Sequence, residues 1–252
     1  MMIKCLTGGY VNTNCYIVTC EETMDTMVID PGFKEGECTK ILNEISAHNL
    51  KVKYIVNTHG HPDHTSCNGI LKRATDAEIL IHEKEAYCLT DPWKDNLKLL
   101  ENQKFKLCPR CGKEVMKLEI LENEGKGALL CDVCGIFLEI IVSPPADRLL
   151  HHGDVIKVGQ LELRVIHTPG HSEGGISLYC ESENTVFSGS TLSKNSIART
   201  GLPGSSRDVL MQSIWDKLME LPENTIVYPG HGEKTTIGRE LRENPNLQIE
   251  RT

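Results

Sequence analysis

The sequence predicts an α/β protein built from two strand-rich halves with interspersed helices. Three observations predict this class. Short apolar runs with strand character recur in both halves, and helically spaced apolar residues lie between several of them. Two Cys-x-x-Cys pairs interrupt the plan between the halves. Because 252 residues suffice for one sizeable core or two small ones, we expect two sheets with helices on their outer faces.

The individual elements follow from the same patterns. In the first half, strands are predicted over residues 2–6, 15–19, 26–29, 53–57 and 78–82. Helices are predicted over residues 37–48 and about 65–75. In the second half, strands are predicted over residues 155–158, 161–167, 175–179, 185–187 and 226–228. Helices are predicted there over residues 207–221 and 237–242.

Residues 59–64, His-Gly-His-Pro-Asp-His, form a dense group of potential metal ligands directly after an apolar run. Side chains two positions apart on a strand end share a face, so His59 and His61 can reach one metal ion. Asp63 and His64 open the next segment and point elsewhere, so they can hold a second ion. Imidazole and carboxylate are the ligands of catalytic Zn²⁺ sites, which leave one position open for water. The alternative is a polar loop without a ligand role.

This motif resembles the H-x-H-x-D-H signature of the metallo-β-lactamase superfamily. The resemblance covers most of residues 1–90 and 145–245, and includes Asp-Pro-Gly at 30–32 and two Pro-Gly-His turns, at 169–171 and 229–231. Thr-Pro-Gly-His-Ser at 168–172 and the tail over 235–245 are similar to the glyoxalase II-like (hydroxyacylglutathione hydrolase-like) branch. The resemblance implies an αβ/βα sandwich with metals at the sheet edge.

The resemblance also implies the metal ligands. The first ion would be bound by His59, His61 and His171, and the second by Asp63, His64 and His231. Asp63 would also be the catalytic residue that orients the nucleophile. Most of the branch has a bridging aspartate where residues 189–192 here read Gly-Ser-Thr-Leu, so Ser190 replaces it. Three outcomes of this replacement are possible. Each ion binds to three residues and the two ions share a hydroxide, or the second ion is held weakly, or activity is low. Because the other six ligands are all present, we favour the first.

Between the two halves, four cysteines follow the pattern C-x2-C-x19-C-x2-C. They are Cys108, Cys111, Cys131 and Cys134. This spacing is typical of a zinc ribbon, whose four thiolates complete a tetrahedral structural site. Free cysteines or two disulfides are the alternative. We therefore expect a catalytic domain formed by residues 1–103 and 143–252, with an inserted ribbon over 104–142.

Composition limits the partners. The formal net charge of −8 argues against a nucleic-acid partner, and no apolar stretch is long enough to span a bilayer. The N-terminal residues lack the apolar core of a signal peptide, so we expect a cytoplasmic protein in which the seven cysteines outside the Cys-x-x-Cys pairs are free, buried thiols. The expected partner is a small-molecule substrate, and the sequence is compatible with a homo-oligomer.

The resemblance implies hydrolysis of a small thioester or ester by a metal-bound hydroxide at a dinuclear site. A lactonase or β-lactamase-type hydrolase would use the same chemistry on a cyclic substrate. Alternatives of another class are an iron-dependent sulfur dioxygenase and a non-catalytic zinc-binding interaction protein. Zinc is expected, but histidine and aspartate also accept iron or manganese. The remaining histidines are expected to be structural, and Arg199 either holds an anionic substrate or anchors its loop.

Overall fold

The computed structural model describes residues 1–92, 116–121, 126–131, 133 and 135–248. The first part of the chain contains strands β1 (Met2–Gly8), β2 (Thr13–Thr19), β3 (Asp25–Ile29), β4 (Lys51–Val56) and β5 (Glu78–His82). Its helices are α1 (Cys38–Ala47), α2 (Pro62–Thr65), α3 (Asn68–Thr75) and α4 (Ala86–Thr90). Short 3₁₀ turns precede α1 and α4, over Glu35–Glu37 and Glu83–Glu85.

The remaining elements follow in chain order. The strands are β6 (Met116–Leu121), β7 (Lys126–Cys131), β8 (Gly135–Ile141), β9 (Arg148–Leu150), β10 (Val155–Val158), β11 (Leu161–His167), β12 (Ile176–Cys180), β13 (Thr185–Gly189), β14 (Leu192–Ser193), β15 (Ser196–Ile197), β16 (Ile226–Pro229) and β17 (Thr235–Thr236). The helices are α5 (Arg207–Ser213), α6 (Ile237–Glu243) and α7 (Pro245–Gln248). A π-helical turn, Ile214–Leu218, continues α5, and a 3₁₀ turn spans Glu181–Glu183.

Two six-stranded sheets form the body of the fold. The first has the order β1-β2-β3-β4-β5-β9, and the second the order β10-β11-β12-β13-β16-β17. In the first sheet, the β1–β2 and β2–β3 pairs are antiparallel, and the pairs from β3 to β9 are parallel. Every residue of β2 is buried, as expected for a strand covered on both faces.

The core lies in layers. Between the two sheets, Tyr16 and Met27 of the first pack with Leu163 and Phe187 of the second. On the other face of the first sheet, Ile41 of α1 and other helical residues pack against its strands. Leu218, Val186 and Val227 form a further cluster on the second sheet. The predicted αβ/βα sandwich is therefore confirmed.

Several predicted boundaries change in the structure. The strand predicted to end at residue 57 is β4, which ends at Val56, and the helix predicted over 65–75 is divided into α2 and α3. The helix predicted over 207–221 ends at Ser213 and continues as the π-helical turn. Strands β9, β14, β15 and β17 have two or three residues each, too few to show a periodic pattern in sequence.

The segment predicted as a zinc ribbon contains an antiparallel three-stranded sheet, β6-β7-β8. Strand β8 contacts α2, the helix that carries Asp63 and His64. Cys131 ends β7 and is buried, whereas Cys108, Cys111 and Cys134 lie outside the described residues. The four-cysteine zinc site and the domain limits at 104 and 142 therefore stay predictions.

The expectation of seven free, buried thiols is wrong in two respects. Cys38, at the start of α1, forms a disulfide with Cys67, directly before α3, and their Cα atoms are 5.7 Å apart. The two cysteines are 29 residues apart in the chain, and only the packing of α1 beside α3 brings them within bonding range. Cys5 is exposed and Cys88 is half-buried, rather than fully buried. Within the described ranges, the helices are all too short or too polar to cross a bilayer.

Candidate metal centre

All six histidine and aspartate ligands predicted for two metal ions meet at one edge of the sandwich, in two triads. The first triad is His59, His61 and His171; the second is Asp63, His64 and His231. The ligand segments follow strands: β4 precedes both the loop with His59 and His61 and helix α2, β11 precedes the loop with His171, and β16 precedes His231. Both sheets therefore contribute to each triad.

The first triad has the spacing of a tetrahedral metal site. His59 Nε2 lies 3.0 Å from His61 Nδ1, and His171 Nε2 lies 3.1 Å from the same atom. Nitrogen ligands at about 2.0–2.1 Å from a tetrahedral Zn²⁺ are separated from each other by roughly 3.3 Å. The three nitrogens therefore fit one ion.

The second triad is similarly spaced. His64 Nε2 is 3.2 Å from His231 Nε2 and 3.4 Å from Asp63 Oδ2, and His231 Nε2 is 3.6 Å from Asp63 Oδ2. The His59 and His64 ring centroids are 4.2 Å apart, so the two triads adjoin. The donor set and its spacing fit a pair of divalent ions.

Local structure places these ligands differently from the sequence prediction. Because β4 ends at Val56, His59 and His61 do not share the face of a strand; they lie in the following loop. Asp63 and His64 belong to α2 and point to the second triad, as expected. At the turn before His171, Gly170 has a φ of 129°, which an L side chain rarely adopts.

Burial keeps most of these imidazoles neutral. Desolvation, reinforced by neighbouring histidines, lowers the pKa of His59 well below its usual value and lowers the pKa of His61 to about 3. Burial also lowers the pKa of His171 and His231. Neutral imidazole is the metal-binding form, so no proton has to be displaced from these nitrogens at neutral pH.

In the second triad, the carboxylates and histidines shift one another's pKa. Burial opposes the protonation of His64, but the carboxylates of Asp30 and Asp63 outweigh it and raise its pKa. Burial likewise opposes ionisation of Asp63, but the surrounding histidines, His64 first, outweigh it and lower its pKa. Asp63 is therefore a carboxylate at neutral pH.

Asp30 is a site residue to which the sequence prediction gave no role. Its Oδ1 accepts a hydrogen bond of 2.7 Å from the Thr58 amide, and its Oδ2 accepts one of 2.7 Å from the Thr58 hydroxyl. The same Oδ2 lies 2.9 Å from His64 Nδ1, so the carboxylate favours a proton on Nδ1 and leaves Nε2 free for the triad. The φ of Asp30 is 51°, in the left-handed region. The Asp-Pro-Gly sequence at residues 30–32 is the feature from which its role could have been predicted.

A close backbone contact holds α2 against this aspartate turn. A Cβ built on Gly32 would lie 1.5 Å from the Asp63 carbonyl oxygen. No side chain fits there, so the glycine allows the second triad's helix to approach the Asp-Pro-Gly turn.

Ser190 lines a small cleft together with His59, His171 and Ser172. No residue lining the cleft is acidic, so Ser190 leaves its wall without a carboxylate, as its replacement of the bridging aspartate predicts. The Ser172 hydroxyl is buried and has no hydrogen-bond partner among the described residues. This cleft therefore offers hydroxyl groups beside the first triad.

Histidines outside the triads have structural contacts, as predicted. His82 Nδ1 accepts a hydrogen bond from the Lys84 amide, and its ring stacks on His167 with centroids 4.2 Å apart. The ring of His167 is also 2.9 Å from the Glu173 carbonyl. Arg199 reaches the site through its backbone: its carbonyl oxygen lies 2.8 Å from His171 Nδ1, which fixes that ring.

Comparisons with known proteins agree with this geometry. A hydroxyacylglutathione hydrolase, GloC of Haemophilus influenzae, is 29% identical over 93% of this chain and 92% of its own. The crystal structure of BLEG-1, a B3 metallo-beta-lactamase, matches with a TM-score of 0.77 and 30% identity, over 98% of this chain and 99% of that one.

A second solved structure, TTHA1623 in a di-iron-bound form, has a TM-score of 0.71 and 29% identity, and the match covers 97% of this chain and all (100%) of the other. The family model described as the metallo-beta-lactamase superfamily matches residues 8–231, a range that contains all six ligands of the two triads. This chain belongs to the metallo-beta-lactamase superfamily.

Proposed function

We propose that this protein is a metal-dependent hydrolase that cleaves a small thioester or ester, as a glyoxalase II-like enzyme would. The pairing of the two adjoining triads is the observation that carries the proposal. Its support for a thioester comes from the similarity to GloC, whose name describes cleavage of an acylglutathione. The proposal of two ions is supported by the spacing within the two triads and by the similarity to TTHA1623, whose structure is of a di-iron-bound form.

The residues of the site have different roles in the proposed reaction. Divalent ions bound to the triads would lower the pKa of water and supply a nucleophile at neutral pH. The Asp63 carboxylate accepts a hydrogen bond from the attacking water and orients it. Ser172 and Ser190 place hydroxyl groups in the cleft, where a polar group of the substrate can be held. Neutral histidines keep the ligand set intact at physiological pH.

A substrate panel tests the proposal. We expect the purified, metal-loaded protein to hydrolyse small acyl thioesters or activated esters, and a chelator to abolish this activity. Lactones and β-lactams form a second arm, favoured by the likeness to BLEG-1. Persulfides with oxygen form a third, for the sulfur dioxygenase alternative. Turnover confined to the second or third arm, or thioester turnover that survives metal removal, would contradict the proposal.

We further propose zinc at the active site, with iron or manganese as metals that the same ligands accept. A third, structural zinc would be held by Cys108, Cys111, Cys131 and Cys134. We also propose a cytoplasmic location, since these four cysteines must be reduced to bind zinc, although the Cys38–Cys67 disulfide is more typical of an oxidising compartment. We propose that the protein's partner is a small-molecule substrate and not a nucleic acid or a membrane. Homo-oligomers are compatible with this proposal.

The ribbon gives a prediction about metal content. Cys108→Ser should lower the zinc content by one ion per chain, because three thiolates hold a structural zinc much less tightly than four. Elemental analysis measures this, with Cys5→Ser, an exposed cysteine of β1, as the control. An unchanged zinc count in Cys108→Ser would show that these cysteines form no metal site.

Ser190 gives a second prediction. Ser190→Asp should tighten binding of the second ion, because the resemblance places residue 190 where most of the branch has an aspartate that bridges both ions. Chelator titration of the zinc-loaded proteins measures this effect. Ser182→Asp, which adds the same charge at an exposed position of a 3₁₀ turn, is the control. Equal resistance to chelation in Ser190→Asp and the native protein would place residue 190 outside the metal shell.

A further inference from the structure

Glu85 is a buried carboxylate for which the proposed chemistry has no use. It ends the 3₁₀ turn Glu83–Glu85 after β5, and only 3% of it is exposed. Within the part of the chain that the structure describes, no lysine, arginine or histidine lies within ion-pair distance of it. A buried charge without a cation is costly to desolvate. Its place in the fold therefore requires a specific set of partners.

Two of those partners are the backbones of the loops that form the first triad, and a third is the thiol of Cys88, which lies 3.7 Å from Glu85 Oε2. Glu85 Oε2 accepts a hydrogen bond of 2.9 Å from the amide of Gly60, and Glu85 Oε1 accepts one of 2.8 Å from the amide of Gly174. Gly60 lies between His59 and His61, and Gly174 lies three residues after His171. One carboxylate thus spans both loops of the triad, with one oxygen for each.

The fit around this carboxylate is close. A Cβ on Gly60 would lie 2.4 Å from Cys88 Cβ and 3.0 Å from Glu85 Oε2, and a Cβ on Gly174 would lie 2.5 Å from Glu85 Cγ. Glycine at both positions lets the amides reach the two oxygens directly. The loops also meet without Glu85, through a hydrogen bond of 2.9 Å from the Ile176 amide to the Thr58 carbonyl. Glu85 therefore fixes the spacing of two segments that are already joined at one point.

We infer that Glu85 is a positioning residue that sets the affinity and geometry of the first metal site. Through Gly60 and Gly174 it holds His59, His61 and His171 at the separation that one ion requires, and its negative charge favours a cation beside these loops. This inference rests on the proposed metal centre. The glutamate contacts none of the six triad side chains and does not line the cleft, so its effect on the site is exerted through the Gly60 and Gly174 loops.

Glu85→Gln tests the inference, because glutamine has one acceptor oxygen and would turn an NH₂ group towards the other amide. Zn²⁺ affinity is measured by chelator competition from the metal-loaded protein, and ligand geometry by the visible absorption of the Co²⁺-substituted protein. We expect one of the two active-site ions to bind about 10- to 100-fold more weakly, with altered Co²⁺ bands, and the other ion to be little changed. Glu78→Gln, an exposed glutamate of β5, is the matched control and should behave as the native protein.

Two further measurements keep the test decisive. Glu85→Asp retains two acceptor oxygens on a shorter side chain, and should recover part of the lost affinity. In the native protein, hydrogen exchange at the Gly60 and Gly174 amides should be slow, a result that does not depend on any variant folding. Native Zn²⁺ affinity and Co²⁺ bands in Glu85→Gln, or rapid exchange at both amides, would overturn the inference. Failure of the native protein to bind active-site metal would instead overturn the proposed function.

Discussion

His61→Ala and His171→Ala should each reduce the proposed hydrolysis by more than a hundredfold, a loss of at least ~3 kcal/mol of transition-state stabilisation. His61 Nδ1 is within 3.1 Å of both other nitrogens of its triad, so its removal leaves two ligands that no longer surround one position. Removal of His171 takes away the first triad's only ligand from the second sheet. Steady-state kcat/KM on the best substrate of the panel measures both effects.

The matched control is His48→Ala, which removes an exposed histidine at the end of α1. It should leave kcat/KM and metal content unchanged. Metal content should fall in His61→Ala and His171→Ala without loss of the folded state, which circular dichroism checks. Full activity in either triad variant would exclude this centre as the catalyst.

Gly32→Ala should be the most damaging single-methyl change near the site. The added Cβ would overlap the Asp63 carbonyl oxygen at 1.5 Å, and it would also lie 2.6 Å from the His64 Cα atom. Both atoms belong to the backbone, so rotation of a side chain cannot relieve the overlap and α2 must move. We expect about 3 kcal/mol or more of lost unfolding free energy, together with weaker binding of the second ion.

Denaturant unfolding of the metal-free protein separates the packing effect from the loss of metal. Gly36→Ala is the control, because a Cβ there would meet no atom within 4 Å. It should be nearly neutral. Similar stability and second-ion affinity in Gly32→Ala and Gly36→Ala would mean that the turn before Phe33 can yield without disturbing α2.

The sequence predicted much of the site because the signal is local. His59, His61, Asp63 and His64 fall within residues 59–64, and His171 and His231 each follow a Pro-Gly turn. These six side chains meet in two groups of three, and their role as metal ligands stays a prediction. The reason given for pairing His59 with His61 was wrong, since a loop and not a strand face brings them together.

Residues that act through tertiary contacts escaped the prediction. Asp30 reaches His64 across 34 positions of sequence, and Glu85 reaches Gly174 across 89. The Cys38–Cys67 pair likewise depends on how α1 packs beside α3. Nothing in composition or periodicity distinguishes these side chains from others of their type, because their roles are defined by partners distant in the chain.

Each triad is completed by a residue from late in the chain, since His171 joins His61 across 110 positions and His231 joins His64 across 167. A ribosome that has synthesised the first five strands has made His59, His61, Asp63 and His64 but neither completing histidine. The nascent polypeptide then contains only two of the three residues of each triad. An ion at either triad would therefore gain its full set of three ligands only after the two sheets have come together.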